Sequence, residues 1–208
     1  KFPVHSTAGV TPLQQYLLEV EKGRLQAFDL ALDTVKNRWY HLYPDQKLSA
    51  AGDGLHWTGP YKNWNARCAE CHATGYEKNY DPRARTYTST QAEIGVGCEA
   101  CHGPGEAHVA WAQSPSSSST SQPEGLTDKG FTIDFSASSP ETEIQLCATC
   151  HARRDPLSDC SPVPGTSFHD SYQLALLRAG LCHPDGSILE EVYVFGAFLR
   201  SRLCAKGV

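Results

Sequence analysis

Residues 64–108 read WNARCAECHATGYEKNYDPRARTYTSTQAEIGVGCEACHGPGEAH. The stretch contains the pattern C-x-x-C-H twice, at residues 68–72 and 98–102, and a third copy lies at residues 147–151. Side chains at positions i, i+3 and i+4 of a helical turn share one face, so two thiols and an imidazole can reach one planar group. The pattern is the attachment signature of c-type haem. The sequence therefore predicts three covalently attached haems.

Each motif contains two kinds of haem-binding residue. The cysteines are predicted to form the thioethers: Cys68, Cys71, Cys98, Cys101, Cys147 and Cys150. The closing histidines are predicted to be the proximal iron ligands: His72, His102 and His151. With 9 Cys and 9 His in 208 residues, chance predicts about 0.02 copies of the pattern. The three copies present far exceed that number, so the pattern is a specific signal for haem.

Zinc binding and thioredoxin-like redox chemistry are the alternative interpretations of paired cysteines. Two C-x-x-C pairs could form a tetrahedral Cys₄ zinc site. However, 26 residues lie between Cys71 and Cys98, which exceeds the common zinc-ribbon spacing, and a zinc site needs no His after each pair. The haem interpretation is favoured.

Composition and charge limit the function classes. The chain has 208 residues, which allows one or two domains, and three haems would add apolar volume to a hydrophobic content of 40%. The net charge of −5 argues against a nucleic-acid footprint and is compatible with a basic redox partner. Expected partners are redox proteins or further haem segments of the same or neighbouring chains, with a homo-oligomer or filament also compatible.

The sequence also predicts location and ligation. No run of 18 apolar residues is present, so no transmembrane helix is expected. Thioether attachment normally takes place outside the cytoplasm, which favours a periplasmic or extracellular protein. Lys1 and the absence of Met suggest a processed chain or an excised segment. Because these residues include no Met, they cannot give a haem iron one His and one Met ligand. Low reduction potentials are therefore expected for the haems.

The fold class expected is α+β with little regular secondary structure. Residues 1–60 are predicted to form a small antiparallel β-meander, with strands at 15–20, 25–32 and 38–43. Residues 61–208 are predicted to be a mostly helical, loop-rich multihaem region, with a flexible Ser-rich loop at 113–130. Further local expectations are a strand at 131–135, a helix capped by Ser139, and helices at 171–178 and 189–203.

Six histidines outside the motifs are candidates for the distal iron positions. The order of preference is His108, His183, His56, His41, then His5 and His169. Six residues separate His108 from His102, a chain too short to wrap around its own haem, so His108 is expected to reach a neighbouring haem. A solvent-exposed helical His is the alternative. Since 25 residues separate the first two motifs, contact between their haems is also expected.

Other residues near the motifs leave alternatives open. The aromatic segment 50–64 could lay rings beside the first haem or form ordinary core. Arg153 and Arg154 could pair with haem propionates or be solvated charges. Two of Cys160, Cys182 and Cys204 could form a disulfide in an oxidising compartment.

Residues 179–183 read AGLCH, a haem motif without its first Cys. A fourth haem attached through Cys182 alone is chemically allowed. Distal ligation by His183 is favoured over attachment, and a role outside ligation stays open.

Residues 56–72, HWTGPYKNWNARCAECH, and 93–108, EIGVGCEACHGPGEAH, carry a family resemblance. They resemble bacterial extracytoplasmic multihaem cytochromes, a group often described with tetratricopeptide repeats, whose haem pairs are similar to those of cytochrome c-554 and octahaem tetrathionate reductase. The resemblance covers most of the chain and is most specific around the first two motifs. Because members usually carry further motifs on both sides, it implies a segment or a shortened relative.

The function expected is electron transfer through mostly bis-His, low-potential haems, without substrate chemistry. The alternative is an oxidoreductase with one open iron acting on a small nitrogen or sulfur oxyanion. No C-x-x-C-Lys variant, as found in related nitrite reductases, occurs in the sequence. A haem-based sensor and a conductive filament subunit are further alternatives.

Overall fold

A computed structural model of the protein describes residues 1–45, 50–114, 124–127, 129–189 and 193–206. An N-terminal antiparallel sheet is followed by short helices, two-stranded ladders and loops, which confirms the predicted α+β class. The chain divides into two compact units. The first contains Lys1–His72 and Tyr76–Ala92, and the second contains Ala73–Gly75 and Glu93–Val208. The domain boundary predicted at residue 60 stays a prediction.

The first unit is built on a four-stranded antiparallel sheet whose strands lie in chain order. They are β1 (Val4–Ala8), β2 (Leu13–Glu19), β3 (Leu25–Asp33) and β4 (Arg38–His41). The predicted meander is confirmed, and β1 is an additional strand. Its sequence, VHSTA, is mostly exposed and polar, so it lacks the apolar alternation by which β2 and β3 were predicted.

The remaining strands are short and pair antiparallel. They are β5 (Ala73–Thr74) with β8 (Glu93–Ile94), β6 (Tyr80–Asp81) with β7 (Thr86–Tyr87), and β9 (Arg154–Pro156) with β10 (Tyr172–Leu174). The helices are α1 (Trp64–Arg67), α2 (Ala69–His72), α3 (Glu99–His102), α4 (Glu106–Gln113), α5 (Pro140–His151), α6 (Phe168–Ser171), α7 (Val194–Leu199) and α8 (Arg202–Ala205).

The sheet binds the segment that leads to the first motif. Leu17 and Ala31 are 2% and 0% exposed, and Gln26 of β3 is also fully buried. The Gln26 amide donates to the carbonyls of Trp57 (2.9 Å) and Gly59 (3.0 Å), which satisfies its buried donor group. The sheet is thereby joined to the polypeptide that carries the first attachment site.

Helix α5 is the centre of the second unit. Its N-cap, Ser139, accepts a hydrogen bond from the Thr142 N–H (3.2 Å), as the sequence predicted. The helix packs on an aromatic cluster in which Phe168 lies 5.3 Å from Tyr172 and 5.6 Å from Phe195 between ring centroids. This packing holds the helix that ends in the third motif.

Three local predictions in the second unit need correction. Residues 131–135 form no strand. Within 171–178 the structure has strand β10 instead of a helix, because Tyr172 enters the core while its neighbours pair with β9. Within 189–203 the structure has two helices, α7 and α8, instead of the one predicted. Ser201 is the N-cap of α8, because its hydroxyl accepts from the Cys204 N–H. Residues 190–192 lie outside the described residues. Most of the predicted Ser-rich loop, 115–123 and 128, also lies outside them.

Candidate haem-binding site

The first motif is a single helical turn. The N–H groups of Cys71 and His72 both donate to the Cys68 carbonyl at 3.1 Å. The two thiols and the imidazole therefore share a face, as attachment to one porphyrin requires. The His72 ring is exposed and lies 5.8 Å from the Trp64 ring, between centroids. These residues fit a haem with His72 below its iron.

Asn65 and Tyr76 hold this turn in place, and neither was recognised from the sequence. Asn65 is 4% exposed, and its side-chain oxygen accepts from the Leu25 N–H of β3 (2.8 Å). The Tyr76 hydroxyl donates to the Asn65 carbonyl (2.8 Å), and burial raises the pKa of Tyr76 to about 12. No local pattern reveals these bonds, because the partners are distant in sequence.

Two cations influence the first motif. Burial raises the pKa of the Cys68 thiol, and the positive charges of Lys62 and Arg67 oppose that increase. The Lys62 ammonium lies 3.2 Å from Asp29 Oδ1 and 3.5 Å from the centroid of the Tyr43 ring. The contact with Asp29 is an ion pair without good hydrogen-bond direction at Oδ1.

The aromatic residues of segment 50–64 were considered either as rings beside the first haem or as ordinary core, and both kinds of packing occur. Trp57 packs edge-on against Phe2 (5.3 Å) and Phe28 (5.4 Å), as core aromatics do. Trp64 instead lies beside His72. The interpretation as rings beside the first haem therefore fits Trp64 and not Trp57.

The second motif has the same geometry as the first. The N–H groups of Cys101 and His102 donate to the Cys98 carbonyl at 3.2 and 3.0 Å. Both thiols are exposed. The His102 ring contacts the rings of Phe131 (5.2 Å) and Phe135 (5.0 Å), which limit its rotation. The sequence had assigned these two aromatics to a strand and not to the motif.

The third motif lies in the last turn of α5, and the structure brings it close to the second. Burial raises the pKa of the Cys101 thiol, and the thiols of Cys147 and Cys150 raise it further. The thiols of two motifs that are distant in sequence therefore lie within electrostatic range of each other in the second unit. Sequence spacing had suggested contact between the first two haems, which stays a prediction.

The surroundings of the motifs fit a porphyrin better than a metal ion. Ile94 and Val96, just before the second motif, are 90% and 60% exposed, and Val109 after it is 51% exposed. Such apolar side chains favour coverage by a large apolar group. In the part of the chain that the structure describes, no three His, Cys, Asp or Glu side chains form a group that could hold a metal ion. No disulfide joins any two of the nine cysteines in this structure, including Cys160, Cys182 and Cys204.

His108 is oriented for ligation. Its Nδ1 lies 2.8 Å from the Lys129 carbonyl, which can only accept, so Nδ1 carries the proton. Nε2 is then left with a free lone pair, the arrangement found in most metal-ligating histidines. The ring stacks on Phe131 at 3.9 Å and on Trp111 at 5.4 Å. These contacts support the preference for His108.

His41 has the opposite tautomer. The Tyr43 N–H donates to His41 Nδ1 (3.0 Å), so Nε2 carries the single proton of the neutral imidazole and is not presented as a ligand in this arrangement. His56 Nδ1 lies 2.7 Å from the Thr58 hydroxyl, which can donate or accept, and 3.3 Å from the Thr58 N–H. These contacts fit either tautomer of His56.

The C-terminal candidates lie in loops and at a cleft. His183 is exposed in a turn closed by its own N–H and the Ser187 carbonyl (2.9 Å). Cys182 is half-buried and lines a cleft of about 230 Å³ together with Leu181, Arg153 and Arg200, among others.

The remaining candidates differ in their surroundings. His5 and His169 are exposed. Arg154 donates to the Thr149 carbonyl (2.8 Å) and lies 3.9 Å above the Tyr172 ring, so it fastens the end of α5. That role is structural and differs from both alternatives considered from the sequence.

Comparison with known proteins gives two matches. Residues 37–103 match the family model of cytochrome c554 and c-prime. No curated protein matches the chain. The fold is similar to that of the outer cell wall cytochrome OcwA, with a TM-score of 0.57 and 20% identity over 88% of this chain and 35% of that one. The chain thus spans about a third of that cytochrome.

The family match covers the first two motifs and implies covalently bound haem c and electron transfer. Among the described residues, no helix is long and apolar enough to cross a membrane. The chain is therefore similar to cytochrome c554 and c-prime over residues 37–103 and similar in fold to an outer cell wall cytochrome.

Proposed function

We propose that the chain transfers electrons through three covalently attached haems, mostly with two histidine ligands and low potentials. The observation that carries this proposal is that each C-x-x-C-H motif occupies one helical turn. A bound haem supplies an iron that gains and loses one electron. The polypeptide holds each haem through two thioethers and orients the proximal imidazole.

The distal ligand of one haem in the second unit is assigned to His108. The Lys129 carbonyl holds the proton on Nδ1, and Phe131 and Trp111 restrict the ring. A ring held in this way binds iron through Nε2 with little loss of side-chain entropy.

Electron exchange between the second and third haems is supported by the proximity of their attachment sites. Cys101 lies close enough to Cys147 and Cys150 for their charges to interact. Haems attached at neighbouring thiols lie close to one another, and close haems exchange electrons rapidly. The first haem joins this route through the polypeptide or through a partner.

The proposed location is periplasmic or extracellular. Haem c is attached outside the cytoplasm, and the structural relative is described as an outer cell wall cytochrome. Proposed partners are other redox proteins or further haem segments of the same or neighbouring chains, and a homo-oligomer or filament fits this function.

The test of this function is a haem count on the intact chain. We expect the mass before and after haem removal, together with a pyridine haemochrome assay, to give three haems. The double variant Cys147→Ala with Cys150→Ala should lose one, whereas Cys182→Ala should keep three. Two haems or fewer in the unaltered chain would contradict the proposal, and four would indicate attachment at Cys182.

An oxidoreductase with one open iron is the second candidate, and one observation favours it. In the first unit, His41 carries the proton on Nε2, so it is not prepared to occupy the distal position of a haem at residues 68–72. Low-temperature EPR distinguishes the two functions. A high-spin ferric signal with turnover of nitrite, hydroxylamine or tetrathionate would favour the enzyme.

A further inference from the structure

A partly buried ion pair lies in the first unit, six residues before the first attachment motif. Lys62 ends the 3₁₀ turn Pro60–Lys62, and its side chain is only 11% exposed. The ammonium is 3.2 Å from Asp29 Oδ1, and the Asp29 side chain is 17% exposed. Solvent screens such charges much less than it screens exposed ones, so their field extends further into the protein.

The Lys62 charge lies close to the attachment site. Lys62 is followed by Asn63, the N-cap of α1 (Trp64–Arg67), and Cys68 is the C-cap of that one-turn helix. The positive charge of Lys62 lowers the pKa of the Cys68 thiol against the larger effect of burial. Asp29 lies on β3 and holds the ammonium in place from one side, while the Tyr43 ring lies 3.5 Å from it on another. The charge is therefore fixed in position relative to the sulfur that would bond the porphyrin.

The two units also differ in formal charge. The ranges of the first unit contain 11 Lys and Arg and 9 Asp and Glu. Those of the second contain 7 Lys and Arg and 14 Asp and Glu. Positive charge stabilises a reduced haem and negative charge stabilises an oxidised one, because reduction adds one electron to the iron.

We propose that the Lys62 ammonium raises the reduction potential of the haem at Cys68 and Cys71 and makes it the highest-potential haem of the three. Asp29 positions the ammonium and limits its effect. The first haem then accepts the electron that the haems of the second unit or an external reductant give up. This inference rests on the proposed haem attachment.

The test is a potentiometric titration of the haem-loaded chain. Lys62→Gln should lower the midpoint of the highest-potential component by about 59 mV, which is a tenfold change in a one-electron equilibrium. Asp29→Asn should move the same midpoint upwards. Opposite shifts from two members of one pair are the signature of a charge effect, because structural damage would move both variants the same way.

Lys36→Gln is the matched control. Lys36 belongs to the same unit and lies 4.0 Å from Asp33, but its side chain is 64% exposed. Its removal takes away the same charge at a screened position, so we expect less than about a twofold change in the equilibrium. Equal shifts from Lys36→Gln and Lys62→Gln would overturn the proposal.

Two further measurements keep the inference separate from the proposed function. A haem count of each variant shows whether all three haems are still attached. The double variant Cys68→Ala with Cys71→Ala should remove the highest-potential component, and loss of a lower one would overturn the inference while leaving electron transfer intact. If Lys62→Gln does not fold, the midpoint of Asp29→Asn tests the inference alone. A downward shift, or no shift, in that variant would overturn the inference.

Discussion

What a histidine can do in this chain depends on the group that its Nδ1 meets. In His108 that group is a carbonyl, which takes the proton and leaves Nε2 free for iron. In His41 it is a backbone N–H, which places the proton on Nε2. The residue type is the same in both, and the hydrogen-bond partner decides between ligand and non-ligand.

Substitution of His108 tests this distinction. We expect His108→Ala to convert one low-spin ferric haem into a high-spin one, because its iron loses the second imidazole. Low-temperature EPR of the haem-loaded chain measures the change.

His41→Ala is the matched control for that substitution, and we expect it to leave the spectrum unaltered. A low-spin spectrum that stays the same in His108→Ala would exclude His108 as a ligand. Conversion to high spin in His41→Ala would show that the His41 ring rearranges when haem binds.

At the level of elements, the turn between α3 and α4 positions two of the rings around the second motif. Gly103 has a φ of 78°, in the region that favours glycine. A Cβ there would meet Thr132 Oγ1 at 2.3 Å. The Thr132 hydroxyl donates to the His102 carbonyl (3.1 Å), which brings Phe131 between His102 and His108.

Gly103→Ala should therefore destabilise the second unit. We expect a loss of about 1–2 kcal/mol from the positive φ alone, with the contact to Thr132 adding to it. The free energy of unfolding of the haem-loaded chain measures this loss.

Gly196→Ala in α7 is the control, since a Cβ there meets no atom within 4 Å. It should stabilise the chain by up to about 1 kcal/mol, the difference in helix propensity. Equal effects from the two substitutions would show that the α3–α4 turn is not restricted in the way described.

Elements were predictable where one face of a local pattern meets the core. Strand β2 was predicted from apolar residues at positions 16, 18 and 20, and Ser139 with the following Pro140 starts α5 as a capping pattern predicts. The helix expected at 171–178 is wrong because its apolar residues do not share a buried face. Tyr172 is 2% exposed, whereas Leu176 is 76% exposed.

At the scale of the whole molecule, charge is distributed unevenly along the chain. The net charge is −5, and the ranges of the second unit contain 14 acidic against 7 basic residues. A negatively charged protein repels anionic reductants over distances that shorten as salt is added.

The rate of reduction by dithionite, an anion, should therefore increase severalfold between low and high ionic strength. Stopped-flow absorbance of the haem bands measures it. A neutral reductant is the control, and its rate should not depend on salt. A dithionite rate that falls with added salt would contradict the expected repulsion.

The sequence by itself determined the attachment chemistry, because two thiols and an imidazole at i, i+3 and i+4 need only one helical turn to converge. The spacing at Cys68, Cys71 and His72 was therefore sufficient to predict a haem site. The β-meander and the cap at Ser139 were likewise local patterns.

The tertiary structure alone decided the properties that depend on residues far apart in the chain. It brings Cys101 within electrostatic range of Cys147, places the Lys129 carbonyl on His108, and pairs Lys62 with Asp29. Contacts of this kind depend on how the chain closes long loops, and neither spacing nor composition predicts which partner a side chain meets. The chemistry of attachment is local, whereas ligation and potential depend on the fold.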